Sequence, residues 1–195
     1  HAALWQFHAN DADWETHLQG IRKILLEARS RRVRPLRDDK ILCSWNALMI
    51  SGLCHAAAAL GDPDYLKEAR KCALSFQKCF TRAQGGLYHS WKKEKASVNG
   101  FLEDLACAAQ AYLDLYEQTF DDAWLKEASK MIEYSIGQYS DEDGCYFYFT
   151  SAEDPPLIVR QREIHDNVCP SSNAVMASVL YRASLHLDRP EWQQR

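Results

Sequence analysis

The chain has no Cys-x-x-Cys pair, phosphate-binding loop, serine-hydrolase elbow or dinucleotide fingerprint. Those absences remove the thiol-redox, nucleotide and triad-hydrolase chemistries that a short motif would announce. No uninterrupted apolar run reaches membrane-spanning length, because Ile50 to Leu60 is broken by Ser51, Gly52 and His55. A net charge of −4 gives no general nucleic-acid signature. The basic residues from Arg22 to Lys40 are the local exception, read as a solvated helix face and loop. Seven cysteines follow no disulfide spacing and sit mostly in helical apolar patterns (Cys54, Cys72, Cys79, Cys107). Buried, reduced thiols in a cytoplasmic or other reducing compartment are therefore expected. The chain begins at His1 without a targeting segment, which reads as a fragment or processed piece.

What is present is a repeat. Tyr65-Leu66-Lys67-Glu68-Ala69 recurs 59 residues later as Trp124-Leu125-Lys126-Glu127-Ala128, with a weaker echo at Pro190-Glu191-Trp192. Gly85-Gly86-Leu87-Tyr88 is answered by Asp143-Gly144-Cys145-Tyr146. A period of this size with helical patterning means stacked helical hairpins. Ile41–Leu60, Phe101–Glu117 and Pro170–Leu187 are apolar around most of their circumference and read as inner helices. The helix to about Phe80 and the one over Ala123–Gln138 carry a charged face and read as outer partners. Asp62-Pro63-Asp64 and Asp121 open them as caps. Asp13 to Ser30 is a further amphipathic helix. Asp188 and Glu191 have capping-box spacing for a third outer helix. The aromatic run Cys145–Phe149 and the β-prone Leu157–Arg160 predict a small β-hairpin inserted in that loop.

The fold expected is all-α: a partial α/α toroid of about three hairpins out of six, with a small β-hairpin insertion, as a single domain over 1–195. Hydrophobic content of 47% in 195 residues suffices for a sizeable core. A half ring leaves apolar faces uncovered, so the remainder of the barrel or a second copy is an expected partner.

Four blocks carry a family resemblance. They are Arg37-Asp38-Asp39-Lys40-Ile41-Leu42-Cys43-Ser44-Trp45-Asn46-Ala47-Leu48-Met49, Gly100-Phe101-Leu102-Glu103-Asp104-Leu105-Ala106, Leu113-Asp114-Leu115-Tyr116-Glu117, and Pro170-Ser171-Ser172-Asn173-Ala174-Val175. In this order the chain resembles the spermatogenesis-associated protein 20-like family. The resemblance implies an (α/α)6 barrel, similar to those of glycosidases and sugar epimerases, preceded by a thioredoxin-like domain that this chain lacks. The chain differs from the family at Ala47, where Gly is usual, at Leu105, where Tyr is usual, and over Asp166–Cys169.

Polar residues at inner-helix starts are the candidate site, since parallel inner helices bring their starts to one rim. Asp104 and Asp39 are the candidate catalytic carboxylates, and His89 the candidate base on the loop above. Trp45, Asn46, Glu103, Asp166 and Asn173 are candidate substrate-binding residues, an aromatic platform with amides and acids. Acids at helix starts also cap backbone N–H groups, so a structural role stands beside the catalytic one for Asp38, Asp39 and Asp104. His55 and His165 are weaker proton-transfer candidates. A zinc site from Cys54 and His55 with Cys43 or Cys107 is disfavoured, because adjacent helical residues diverge by about 100°. No metal or cofactor is expected. The reading is a carbohydrate-active or sugar-binding barrel, hydrolase-like or epimerase-like, with no nucleic-acid or membrane partner. Its alternative is a non-catalytic ligand-binding or scaffold barrel attached to a redox domain.

Overall fold

A computed structural model describes residues 12–155 and 158–195. The chain divides into two compact units, His1–Asp38 and Asp39–Arg195. In the first, helix α1 (Ala12–Ser30) is followed by an irregular stretch. An ion pair between Glu27 and Arg31 spans its last turn.

The second unit is built from helical hairpins. Strand β1 (Ile41–Leu42) leads into α2 (Cys43–Leu60), which pairs with α3 (Pro63–Phe80). A hairpin of β2 (Tyr88–Lys92) and β3 (Lys95–Asn99) precedes α4 (Leu102–Thr119) and its partner α5 (Asp122–Tyr139). After a long connection come α6 (Ser172–Leu187) and a short 3-10 turn, Pro190–Trp192. The inner helices are neighbours in the order α2, α4, α6, as their shared apolar patterning predicts. Asp62 accepts from the Asp64 N–H at 2.9 Å, and Asp121 accepts from the Ala123 N–H at 3.0 Å, so the two outer helices begin alike. Gly61, at φ +66°, ends α2 in the left-handed conformation that glycine adopts without penalty.

Helix α4 is the centre of the core. Leu102, Leu105, Ala106, Ala109 and Leu113 are fully buried. Before its last turn, only Glu103 and Gln110 are part-exposed, seven residues apart on one face. Tyr112 is sandwiched between Phe76 of α3 and Trp124 of α5, tying both outer helices to it. The flanking inner helices are less enclosed: Trp45 and Met49 on α2, and Tyr181 and Leu185 on α6, are exposed. By length and composition α2 is apolar enough to cross a membrane, despite its internal Ser51, Gly52 and His55. Its Cys43, Ala47, Ile50 and Cys54 are instead buried in the core, the placement of an inner helix.

Two expectations are corrected. The hairpin lies over Tyr88–Asn99; among the described residues the loop after Cys145 holds no strand, and Leu157 of the Leu157–Arg160 run lies outside them. With β1 it forms a three-stranded antiparallel sheet in the order β1-β2-β3, with Leu42 opposite Ser90 and Ser90 opposite Ser97. Its two-residue turn is Lys93-Glu94, both at positive φ, so the usual Asn-Gly signature is missing. Phe147–Phe149 spend their backbone N–H groups elsewhere, on Asn173 Oδ1, the Tyr139 carbonyl and the Gln161 carbonyl. Asp188 does not open a further helix. It closes α6 in the left-handed conformation, and its N–H reaches the Ser184 carbonyl.

The glycines of the first repeated loop are there for close approach. A Cβ on Gly86 would lie 2.5 Å from the Tyr134 ring, and the residue has φ +71°.

Candidate functional site

The starts of the three inner helices are tied together by polar contacts. Asp104, in the first turn of α4 and wholly buried, accepts on Oδ1 from the Ser44 N–H of α2 at 2.9 Å. Its Oδ2 accepts from the Phe101 N–H at 2.8 Å, half of a capping box at its own helix start. The Leu102 N–H donates to the Phe149 carbonyl, and Asn173 at the start of α6 bonds Phe147 in both directions, through Oδ1 and Nδ2. One rim thus carries the first turns of α2, α4 and α6.

His89 projects from β2 onto this rim, with Nδ1 2.9 Å from Asp104 Oδ2. The Asp104 oxygens already accept N–H donors, so Nδ1–H donates as well and Nε2 is left for exchange. The hydrogen bond to Asp104 raises the His89 pKa above its ordinary value; burial opposes the rise, and the charges of Asp104 and Glu103 add to it. Glu103 is half-buried. Burial first, then the charge of Asp104, pushes its carboxyl above the usual range, with Glu163 adding to the rise. A carboxyl group of raised pKa beside a buttressed imidazole is a pairing suited to proton transfer.

Aromatic rings continue the site sideways. His89 lies 4.8 Å from Phe101, and Phe101 is stacked on Phe149 at 4.7 Å and 13°. Phe149 borders a groove of about 390 Å3 that also includes Gln161, Glu163, His165 and Asp166.

The proposed residues divide into those that meet and those that do not. Asp104, Glu103 and His89 come together, with ligand atoms within 4.8 Å of one another. That is also a metal-ligand grouping. Here the Asp104 oxygens serve the Ser44 and Phe101 N–H groups and His89 Nδ1 faces Asp104, an arrangement that suits a proton-transfer pair. With both Asp104 oxygens engaged in this way, the imidazole is held in place. Asp39 is exposed and ion-paired to Lys92, which lowers its pKa. Asp39 is thus engaged by Lys92 of β2, outside the cluster formed by His89, Glu103 and Asp104. Asn46 donates to the Leu42 carbonyl at 2.7 Å, within its own first turn, and Trp45 is exposed beside it. Asp166 Oδ1 accepts from the Ser171 N–H at 2.8 Å, a cap for α6. Asn173 is consumed by Phe147 and the Glu163 carbonyl. Cys54 is buried while His55 is exposed, 3.7 Å from Asp114, so the pair faces different surroundings. Burial pushes the Cys54 and Cys107 thiols up to about 12.

Glu163 was not legible in the sequence. It lies in an irregular segment, and its Oε2 accepts from the Ser172 N–H at 3.2 Å, anchoring the start of α6 while acting on Glu103. No periodicity marks such a residue.

No family model matches the sequence. The chain is 30% identical to human spermatogenesis-associated protein 20 over 185 residues and 29% identical to the mouse protein over 183. Each match covers 88% of this chain and 23% of the relative, so the chain spans about a quarter of the length of these relatives. The resemblance to the spermatogenesis-associated protein 20-like family is thus a sequence relationship across most of the chain. Among solved structures, the unsaturated glucuronyl hydrolase of Bacillus sp. GL1 superposes with a TM-score of 0.61 at 21% identity. That match covers 84% of this chain and 46% of the hydrolase. Cellobiose 2-epimerase from Bacillus thermoamylovorans gives a TM-score of 0.67 at 11% identity, over 83% of this chain and 44% of the epimerase. At these identities the likeness is one of fold: the chain has the architecture of a six-hairpin α/α barrel of the glycosidase and epimerase kind, in part.

Proposed function

We propose that this chain carries part of a carbohydrate-active centre, hydrolase-like or epimerase-like, in which His89 exchanges protons with the sugar. Asp104 holds the imidazole in its Nδ1–H tautomer and stabilises its cation, and Glu103 supplies a carboxylic acid of raised pKa. The observation that carries the reading is the 2.9 Å contact between His89 and a wholly buried Asp104 at the meeting point of the inner-helix starts. Hydrolysis would use Glu103 to protonate a leaving oxygen; epimerisation would use His89 to remove and return a carbon-bound proton. Trp45 and the Phe101–Phe149 stack are the aromatic surfaces available to a sugar face. Further hairpins, or a second copy, would cover the exposed apolar sides of α2 and α6. The seven free thiols support a reducing compartment.

The test is a screen of the full-length protein against small sugars and glycans, followed by His89→Gln and Glu103→Gln. Turnover should fall about 100-fold or more with the fold intact. Unchanged turnover in both variants would remove the proposed roles.

A second reading, a non-catalytic ligand-binding or scaffold barrel attached to a thioredoxin-like domain, draws on the occupied state of the acids. Asp104, Asp166 and Glu163 all accept backbone N–H groups at helix starts. Sugar binding without turnover, unaffected by His89→Gln, favours it.

A further inference from the structure

We infer that the groove bordered by Phe149 and Glu163 is a subsite for an uncharged sugar unit, and that it rejects sugars carrying a carboxylate. The inference rests on the carbohydrate reading above and adds the charge class of the ligand. Its volume, about 390 Å3, is at the small end for a small-molecule site and suits a unit of a glycan rather than a large ligand. Phe149 is half-buried and backed by Phe101, so one ring face is braced for a sugar ring to lie against.

The carboxylates around it are unopposed by a free guanidinium or ammonium in its lining, to which His165 adds an imidazole. Glu163 and Asp166 border the groove, and the charge of Glu163 reaches Glu103. Arg162, the guanidinium in the groove wall, is held by Asp141 at 3.1 Å and Glu142 at 3.7 Å, with its face toward the Tyr148 ring. Taking Arg162 from Asp141 would leave a buried carboxylate uncompensated, which is strongly unfavourable. Lys40 acts on His89, but as the smallest of the named influences there. A uronate placed against Phe149 would add a carboxylate beside Glu163 and Asp166, where the one guanidinium of the lining, Arg162, is already ion-paired. The hydroxyls of a neutral sugar can instead donate to Glu163 and Asp166.

The experiment uses the full-length protein and matched methyl glycosides: neutral and C6-oxidised members of the gluco, galacto and manno series. Affinities are measured by calorimetry or saturation-transfer NMR at 20 mM and 500 mM salt. The neutral member of the best-binding series should bind at least tenfold more tightly than its uronate at low salt. The gap should shrink at high salt, since exposed charges are then screened, and should shrink again in Glu163→Gln, which keeps an acceptor for the Ser172 N–H. A uronate that binds as well as or better than its neutral counterpart overturns the inference and leaves the carbohydrate reading standing. A preference for the neutral member that is indifferent to salt and to Glu163→Gln also overturns it, because the selection is then steric. Binding of no glycoside in any series overturns the carbohydrate reading and this inference with it.

Discussion

Asp104 accepts the backbone N–H of Ser44, sixty residues earlier in the chain, at 2.9 Å, and so fastens the start of α2 to the start of α4. The same carboxylate fixes His89. Its loss therefore has a structural and a chemical consequence at once, and the two separate experimentally.

Asp104→Asn keeps the shape but offers one acceptor oxygen where two are used, turning an NH2 group toward a donor. Destabilisation of about 2–4 kcal/mol is expected from a buried donor left unpaired and a broken charge contact. Urea denaturation measures it. An unchanged midpoint would mean that Asp104 does not hold the rim.

His89 predicts a pH dependence. Its folded pKa is raised above the unfolded value, mainly by the hydrogen bond to Asp104. The stabilisation is then fully present below the unfolded value, near 6.5, and is lost as pH rises through the folded value. His89→Gln should flatten that part of the stability–pH curve, and NMR titration of the His89 ring should give a raised midpoint that falls in Asp104→Asn.

Glu103 titrates in the same sense at lower pH. Burial and the neighbouring Asp104 raise its folded pKa, so ionising it costs the folded state stability as pH rises through the raised value. Glu103→Gln should match the parent below the unfolded pKa of about 4.3 and be more stable at pH 7. Equal stability at both pH values would show that Glu103 is not strained by its surroundings.

Gly86→Ala places a Cβ 2.5 Å from the Tyr134 ring at a left-handed backbone. The backbone alone should cost about 1–3 kcal/mol. Tyr134 cannot step aside freely, since its hydroxyl is bonded to Arg82 and Glu153. Thermal melts of Gly86→Ala with and without Tyr134→Ala should separate the steric part from the backbone part, the double variant showing the smaller additional loss.

Thiol labelling checks the core. Cys145 is exposed, whereas Cys43, Cys54 and Cys107 are buried. Mass spectrometry of protein treated briefly with iodoacetamide should find Cys145 modified and the three buried thiols protected until denaturant is added. Early modification of Cys107 would contradict the packing around α4.

The inner and outer helices were legible because their causes are local. Apolar circumference marks α2, α4 and α6, and Asp62-Pro63 and Asp121 mark the outer starts. The β2–β3 hairpin was not, because its Lys93-Glu94 turn adopts positive φ without the residues that usually advertise it. At the site, Glu103, Asp104 and His89 were nameable as types at helix starts and on the loop above. Their division of labour was not, since it depends on the Ser44 and Phe101 N–H groups that occupy Asp104. The pairing of Asp39 with Lys92 was not legible either, because it depends on the register of β1 against β2. Glu163 had no sequence signal because neither periodicity nor a cap motif surrounds it.

His89 is delivered by a strand, and a strand offers a different side chain to each face at every step. With Leu42 opposite Ser90, the register of β2 against β1 presents the imidazole to Asp104. A slip of one residue would hold up the same helices and bring a tyrosine or a serine there, since Tyr88 and Ser90 flank it. The three-stranded sheet is therefore the selector of the site's chemistry: Leu42 and Ser90 decide, through nothing more than two facing peptide groups, whether that carboxylate meets a base or a hydroxyl.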